Sequence, residues 1–250
     1  MNVGSVLSPQ GLELAYRDRP GKAPAVVFLP GFNSAMTGGK AGYLDELCAR
    51  AGHRCVRFDY RGHGDSGGQL EDGSVQQWYA DASFIYDHLA LDEVVLVGSS
   101  MGTWIALLLA RRIGVKVRGL IGIAGAVDFT AHARDRLSPD QAAELAEVGI
   151  TYRPSRYGDG PYPLTERMLE EGNAQRILGT GLELACPVHL FHGMNDPDLP
   201  WEHVLEIANG ITASSLEITL VSDGDHRLSR PRDLETVGLV VGRMLRPVLV

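Results

Sequence analysis

Residues 94–104, Val94-Val95-Leu96-Val97-Gly98-Ser99-Ser100-Met101-Gly102-Thr103-Trp104, pass from four branched apolar side chains through a run of small residues into a second apolar stretch. A short apolar run ending at glycine reads as a fully buried strand, and the nearly all-apolar Thr103–Ile113 that follows reads as a buried helix. Gly98-Ser99-Ser100-Met101-Gly102 fits G-x-S-x-G with Ser100 at its centre. A strand that becomes a helix within a few residues lifts the central serine above the sheet, and the flanking glycines let backbones pass closely. The new helix aims its N-terminal dipole and free N–H groups at the space beside that serine, where they stabilise an oxyanion. Ser99 occupies the first variable position, so its side chain points elsewhere. The pattern recurs by chance, so the rest of the chain must supply the serine's partners.

Working outward, strands alternate with helices. Ala25–Leu29, Cys55–Tyr60, Arg118–Ala126, Pro187–His192 and Leu216–Val221 read as further strands. Helices are expected near 40–51 (closed by Gly52 as a C-cap), from Val75 behind a Ser74–Gln77 capping box, near 201–209 and near 232–245. Residues before Lys22 read as one or two antiparallel edge strands turning at Gly11. This alternation builds a mostly parallel sheet covered by helices on both faces, an α/β architecture. Residues 128–184 break the rhythm. No buried strand is evident there, Ser138-Pro139-Asp140-Gln141 is a capping box, and Thr165 caps a helix that Gly172 can end. The expected organisation is a core of 1–127 and 185–250 with 128–184 inserted as a helical lid.

Composition narrows the function. The 250 residues are 44% hydrophobic and 22% charged, enough for one large core. A net charge of −8 with no basic stripe argues against a nucleic-acid partner. No apolar run approaches a membrane span. Cys48, Cys55 and Cys186 form no framework and no metal-ligand spacing, so neither metal nor cofactor is expected. With no signal-like N-terminus, the expected location is cytoplasmic. Oligomeric state is left unspecified.

A serine nucleophile needs a base, and the base an orienting acid. Beyond Ser100 the chain offers Phe191-His192-Gly193-Met194-Asn195-Asp196-Pro197-Asp198 after one strand and Asp223-Gly224-Asp225-His226 after the last. Both loops fall at the carboxyl edge of the sheet. Asp196 as acid and His226 as base follow, with Asp198 the rival acid. Asp223 and Asp225 are too close in sequence to His226 to serve it, and Asp225 reads as a turn former. His192 reads as structural. The oxyanion donors expected are the N–H groups of Met101 and of Phe32, in Leu29-Pro30-Gly31-Phe32-Asn33-Ser34. Pro30 has no N–H to give.

At this point the chain resembles the α/β-hydrolases over nearly its whole length. Asp59-Tyr60-Arg61-Gly62-His63-Gly64-Asp65-Ser66 matches the family's D-x-R-G-x-G-x-S loop, His192–Pro200 its H-G-x-x-D-x-x-x-P loop, and Asp225-His226 its histidine loop. More narrowly, LPGFNSAMTGGKA, GSSMGTW and HGMNDPDLPW are similar to the palmitoyl-protein thioesterase and acyl-glucuronide esterase branch. The resemblance implies hydrolysis of an ester or acyl thioester, on a small molecule or an acylated protein, through an acyl-enzyme. A C–C hydrolase, perhydrolase or acyltransferase using the same three residues stays open, as does a ligand receptor on the same scaffold. For substrate contacts the candidates are Trp104, Arg153 and Tyr157, the last two in an arginine- and tyrosine-bearing segment suited to a carboxylate such as a glucuronate.

Overall fold

The computed structural model describes residues 1–155 and 160–246. Eight strands form one sheet in the order β1 (Asn2–Leu7), β2 (Glu13–Arg19), β4 (His53–Phe58), β3 (Lys22–Leu29), β5 (Val94–Ser99), β6 (Val117–Ile123), β9 (Leu182–Gly193) and β10 (Ile211–Val221). The hairpin β1–β2 is antiparallel and joins β4 antiparallel, and every other pair is parallel. The central strands β5 and β6 are buried almost throughout, as parallel strands covered on both faces must be.

One face of the sheet packs on α2 (Val75–His88) and α3 (Met101–Ile113), with Trp78, Ile85, Trp104 and Leu108 fully buried. The other packs on α1 (Gly39–Ala51) and α7 (Pro231–Met244) through Leu44, Cys48, Val237 and Val241. Gly52 closes α1 in the left-handed conformation (φ 72°), as its C-cap role requires. The Ser74 hydroxyl accepts from Gln77 N–H at 3.3 Å to start α2.

Strands β9 and β10 start earlier than hydropathy suggests, pairing from Leu182 and Ile211. Leu182-Glu183-Leu184-Ala185 and Ile211-Thr212-Ala213-Ser214 alternate rather than run apolar, because β10 is the sheet's edge and half exposed. Residues 128–184 also depart from expectation. Between α4 (Pro139–Val148) and α5 (Glu166–Ala174) lies a short antiparallel hairpin, β7 (Ile150–Arg153) with β8 (Tyr162–Thr165). Four-residue strands interrupted by Pro163 leave too short a period to read. Ser138 and Gln141 form the expected reciprocal capping box on α4. Gly172 does not end α5 but sits within it, where an added Cβ would lie 2.6 Å from Thr130 Cγ2.

Candidate active site

Three loops converge at the carboxyl ends of β5, β9 and β10. Helix α3 begins at Met101, so the strand-to-helix turn is tighter than the apolar pattern indicates. The turn falls on Ser100, held at φ 53°, ψ −120°, a conformation costly for any residue with a Cβ. Packing enforces it. A Cβ on Gly102 would lie 2.0 Å from Leu29 O, and one on Gly98 would lie 2.4 Å from Gly102 O. The two glycines therefore let α3 press against β3 and β5. Ser100 N–H donates to Ile123 O at 2.8 Å and fixes the turn to β6.

The His226 ring spans the gap between the other two residues. Its Nε2 lies 3.1 Å from Ser100 Oγ and its Nδ1 lies 2.7 Å from Asp196 Oδ2. Those distances suit Nδ1–H donating to the carboxylate and Nε2 accepting the serine proton. The Asp196 side chain is fully buried. Burial alone raises a carboxyl pKa, but hydrogen bonds from His192, His226 and Asp198 N–H outweigh it and hold Asp196 below the usual carboxylate range. Leu199 N–H adds a further bond at 3.0 Å. Asp198, the rival acid, lends its own backbone N–H to Asp196 Oδ1 at 2.8 Å.

Asp196, Asp198 and His226 bring three potential ligand atoms within 4.8 Å of one another. Asp196 and His226 are already bonded to each other, and His226 to Ser100, so a cation there would compete with that chain of bonds.

Phe32 and Met101 both line the cavity beside Ser100. A Cβ on Gly31 would lie 3.2 Å from Ser100 Cβ, which places the Gly31–Phe32 backbone against the serine. Met101 is the first residue of α3, where an N–H has no carbonyl one turn earlier to meet. The Phe32 loop is pinned from below. Asp59 Oδ1 accepts from Met36 N–H at 2.6 Å, and Asp59 Oδ2 from Asp65 N–H at 3.0 Å. The Phe32 ring packs edge-on against Trp78 (5.5 Å) and Tyr162 (5.3 Å). The Asp59–Ser66 motif is thus scaffolding for the loop: Arg61 is held by the buried Asp81 at 2.6 Å, and a Cβ on Gly64 would collide with Asp59.

Two contributors escape sequence reasoning. His192 is fully buried with Nε2 3.3 Å from Asp196 Oδ2, making it a second imidazole on the acid. Its place four residues before Asp196 in the H-G-x-x-D motif was the available signal. Lys40 Nζ donates to Arg227 O and, at 3.2 Å, to Ser229 Oγ, tying α1 to the loop that carries His226. Burial, then the Arg227 charge, pulls the Lys40 pKa down to about 8. No local sequence pattern links residues so far apart.

The cavity above Ser100 measures about 670 Å³, within the range for small-molecule sites. Arg153 lines it. Trp104 does not, which corrects its expected substrate contact. It is fully buried, donates Nε1–H to Gln175 O at 3.1 Å and packs edge-on against Phe129, behind the cavity wall. Tyr157 lies outside the described residues.

With this geometry in view, residues 24–167 match the family model described as alpha/beta hydrolase fold. The human protein named palmitoyl-protein thioesterase ABHD10, mitochondrial, is 34% identical over 223 residues, 89% of this chain and 73% of its own length. Among solved structures, alpha/beta hydrolase domain-containing protein 10 from mouse superposes with a TM-score of 0.90 at 33% identity, covering 98% of each chain. A putative hydrolase from Agrobacterium vitis S4 superposes with a TM-score of 0.93 at 36% identity, covering 98% of this chain and 99% of its own. The chain belongs to the alpha/beta hydrolase fold family and is a hydrolase. The cytoplasmic expectation is corrected by the palmitoyl-protein thioesterase relatives, human and bovine, which are named mitochondrial. No described helix is long and apolar enough to cross a membrane.

Proposed function

We propose that Ser100, His226 and Asp196 hydrolyse a carboxylic ester or acyl thioester through an acyl-enzyme. Ser100 Oγ attacks the acyl carbonyl as His226 Nε2 takes its proton. Asp196 fixes the imidazole tautomer and stabilises the imidazolium, and the N–H groups of Phe32 and Met101 receive the oxyanion. The carbonyl re-forms as the bond to the alcohol or thiol breaks, and His226 returns the proton to that leaving group. Water, deprotonated by His226, then releases the acid and restores Ser100.

The observation that carries this reading is the unbroken Ser100–His226–Asp196 hydrogen-bond chain, ending on a serine held in a strained turn. The relatives named palmitoyl-protein thioesterase favour an acyl thioester among the possible substrates. Residues 128–184, whose Arg136, Gln141, Arg153, Tyr162 and Met168 face the cavity, act as its lid.

Initial rates on matched oxygen esters and thioesters, from two-carbon to sixteen-carbon acyl chains, test it with wild type, Ser100→Ala and Ser99→Ala. Ser100→Ala is expected to lose about three or more orders of magnitude in turnover and Ser99→Ala far less. Full turnover by folded Ser100→Ala refutes the assignment. Preference for long thioesters supports the depalmitoylating substrate class, and cleavage of short oxygen esters alone refutes it.

A further inference from the structure

The described arginines of residues 128–184 divide by what they touch. Arg134 pairs with Glu166, Arg167 with Glu171 at 2.9 Å, and Arg176 with Asp128 at 3.9 Å. None of these three lines the cavity. Arg136 and Arg153 do line it, and neither guanidinium has a hydrogen bond or carboxylate partner among the described residues. The Arg153 Nε is buried without any acceptor. Burial, then the neighbouring Arg136 charge, lowers the Arg153 pKa. Arginine does not shed its proton at ordinary pH, so the half-buried Arg153 keeps its charge next to that of the exposed Arg136. The one carboxylate among the described lining residues, Asp198, stands beside His226.

A chain of net charge −8 has carboxylates to spare, and it pairs the outer arginines of this segment with them. Leaving the half-buried Arg153 bare beside a second guanidinium is unfavourable unless something else neutralises it. Arg153 sits directly across the hairpin from Tyr162, whose ring packs on Phe32 beside Ser100. An anion held there belongs to a molecule that also reaches the serine.

We propose that Arg136 and Arg153 form an anion subsite, so that the preferred substrate carries a carboxylate or phosphate in addition to the bond that Ser100 attacks. The guanidinium fork suits either anion through paired N–H bonds, which a lysine would not supply. The inference rests on the hydrolase reading of Ser100 and deepens it. The anion belongs either to the acyl part of the substrate or to its leaving group.

The test uses two matched pairs of esters. In one, p-nitrophenyl hexanoate is compared with the mono-p-nitrophenyl ester of adipic acid, which puts a carboxylate on the acyl chain. In the other, hexanoate esters of methyl 4-hydroxybenzoate and of 4-hydroxybenzoate are compared, which puts it on the leaving group. The readout is the ratio of kcat/KM, anionic over neutral, so that partial loss of folded enzyme cancels. Wild type is expected to favour the anionic member of one pair by about tenfold or more, and about 0.5 M salt should shrink that ratio. Arg153→Gln should bring the ratio close to one, through KM more than kcat. Arg136→Gln gives an independent answer should Arg153→Gln fold poorly, and Arg134→Gln, outside the cavity, should keep the wild-type ratio. Cleavage of the neutral esters with no anionic preference in either pair overturns the subsite and leaves the Ser100 reading standing. A preference that survives both Arg136→Gln and Arg153→Gln also overturns it. No Ser100-dependent turnover of any of the four esters overturns both readings.

Discussion

Replacing Ser100 by glycine and by alanine separates the cost of the turn from the chemistry it serves. Both changes remove the hydroxyl, and with it the hydrogen bond to His226, so that loss is common to the pair. They differ in the backbone. Alanine keeps a Cβ at φ 53°, ψ −120°, where a non-glycine residue costs about 1–3 kcal/mol. Glycine adopts that conformation without the clash but returns about 0.4–1 kcal/mol through the greater freedom of the unfolded chain. Taking the middle of each range, Ser100→Gly should be more stable than Ser100→Ala by about 1 kcal/mol. For a chain of this size that separates the two unfolding midpoints by about 2–4 °C. Differential scanning calorimetry of the two variants in one buffer measures the gap, and an ester assay confirms that both are inactive. A glycine variant that melts at or below the alanine variant would refute the claim that packing stores strain at the serine.

Asp196→Asn should lower turnover by about four orders of magnitude, because the amide can support the wrong imidazole tautomer. The same change tests pH dependence. Asp196 has a folded pKa below its unfolded value of about 3.9, so its stabilising contribution is complete above that pH and is lost as pH falls through the folded value. The gap in melting temperature between wild type and Asp196→Asn should therefore be widest near neutrality and close in acid, as thermal melts across pH would show. Gly102→Ala drives a Cβ to 2.0 Å from Leu29 O and 2.6 Å from Pro30 O, both main chain. It should cost about 3 kcal/mol or more, visible as a collapsed melting temperature or loss of soluble protein. Asp81→Ala strands the buried Arg61 and should cost about 3–5 kcal/mol in urea unfolding, whereas Glu46→Ala, which breaks the exposed pair with Arg50, should cost under about 1 kcal/mol.

The sequence by itself determined the sheet and which residues stand at its edge as candidates for the chemistry. Parallel strands buried on both faces must be written as continuous apolar runs, and 94–97 and 25–29 are. A strand that turns straight into a helix must carry small residues at fixed offsets, so Gly98, Ser100 and Gly102 are legible in one dimension. The order of Ser100, Asp196 and His226 follows from which strands end at the same edge. The tertiary structure alone decided what lies far apart in the chain and touches through packing. It tied Lys40 to the His226 loop and put Trp104 behind the cavity wall rather than in it. The arginines of residues 128–184 look alike in sequence. Among the described ones, only the fold sorts those that find a carboxylate outside from Arg136 and Arg153, which face the cavity, because partners such as Glu166 and Asp128 are brought near by long-range contacts that local pattern does not encode.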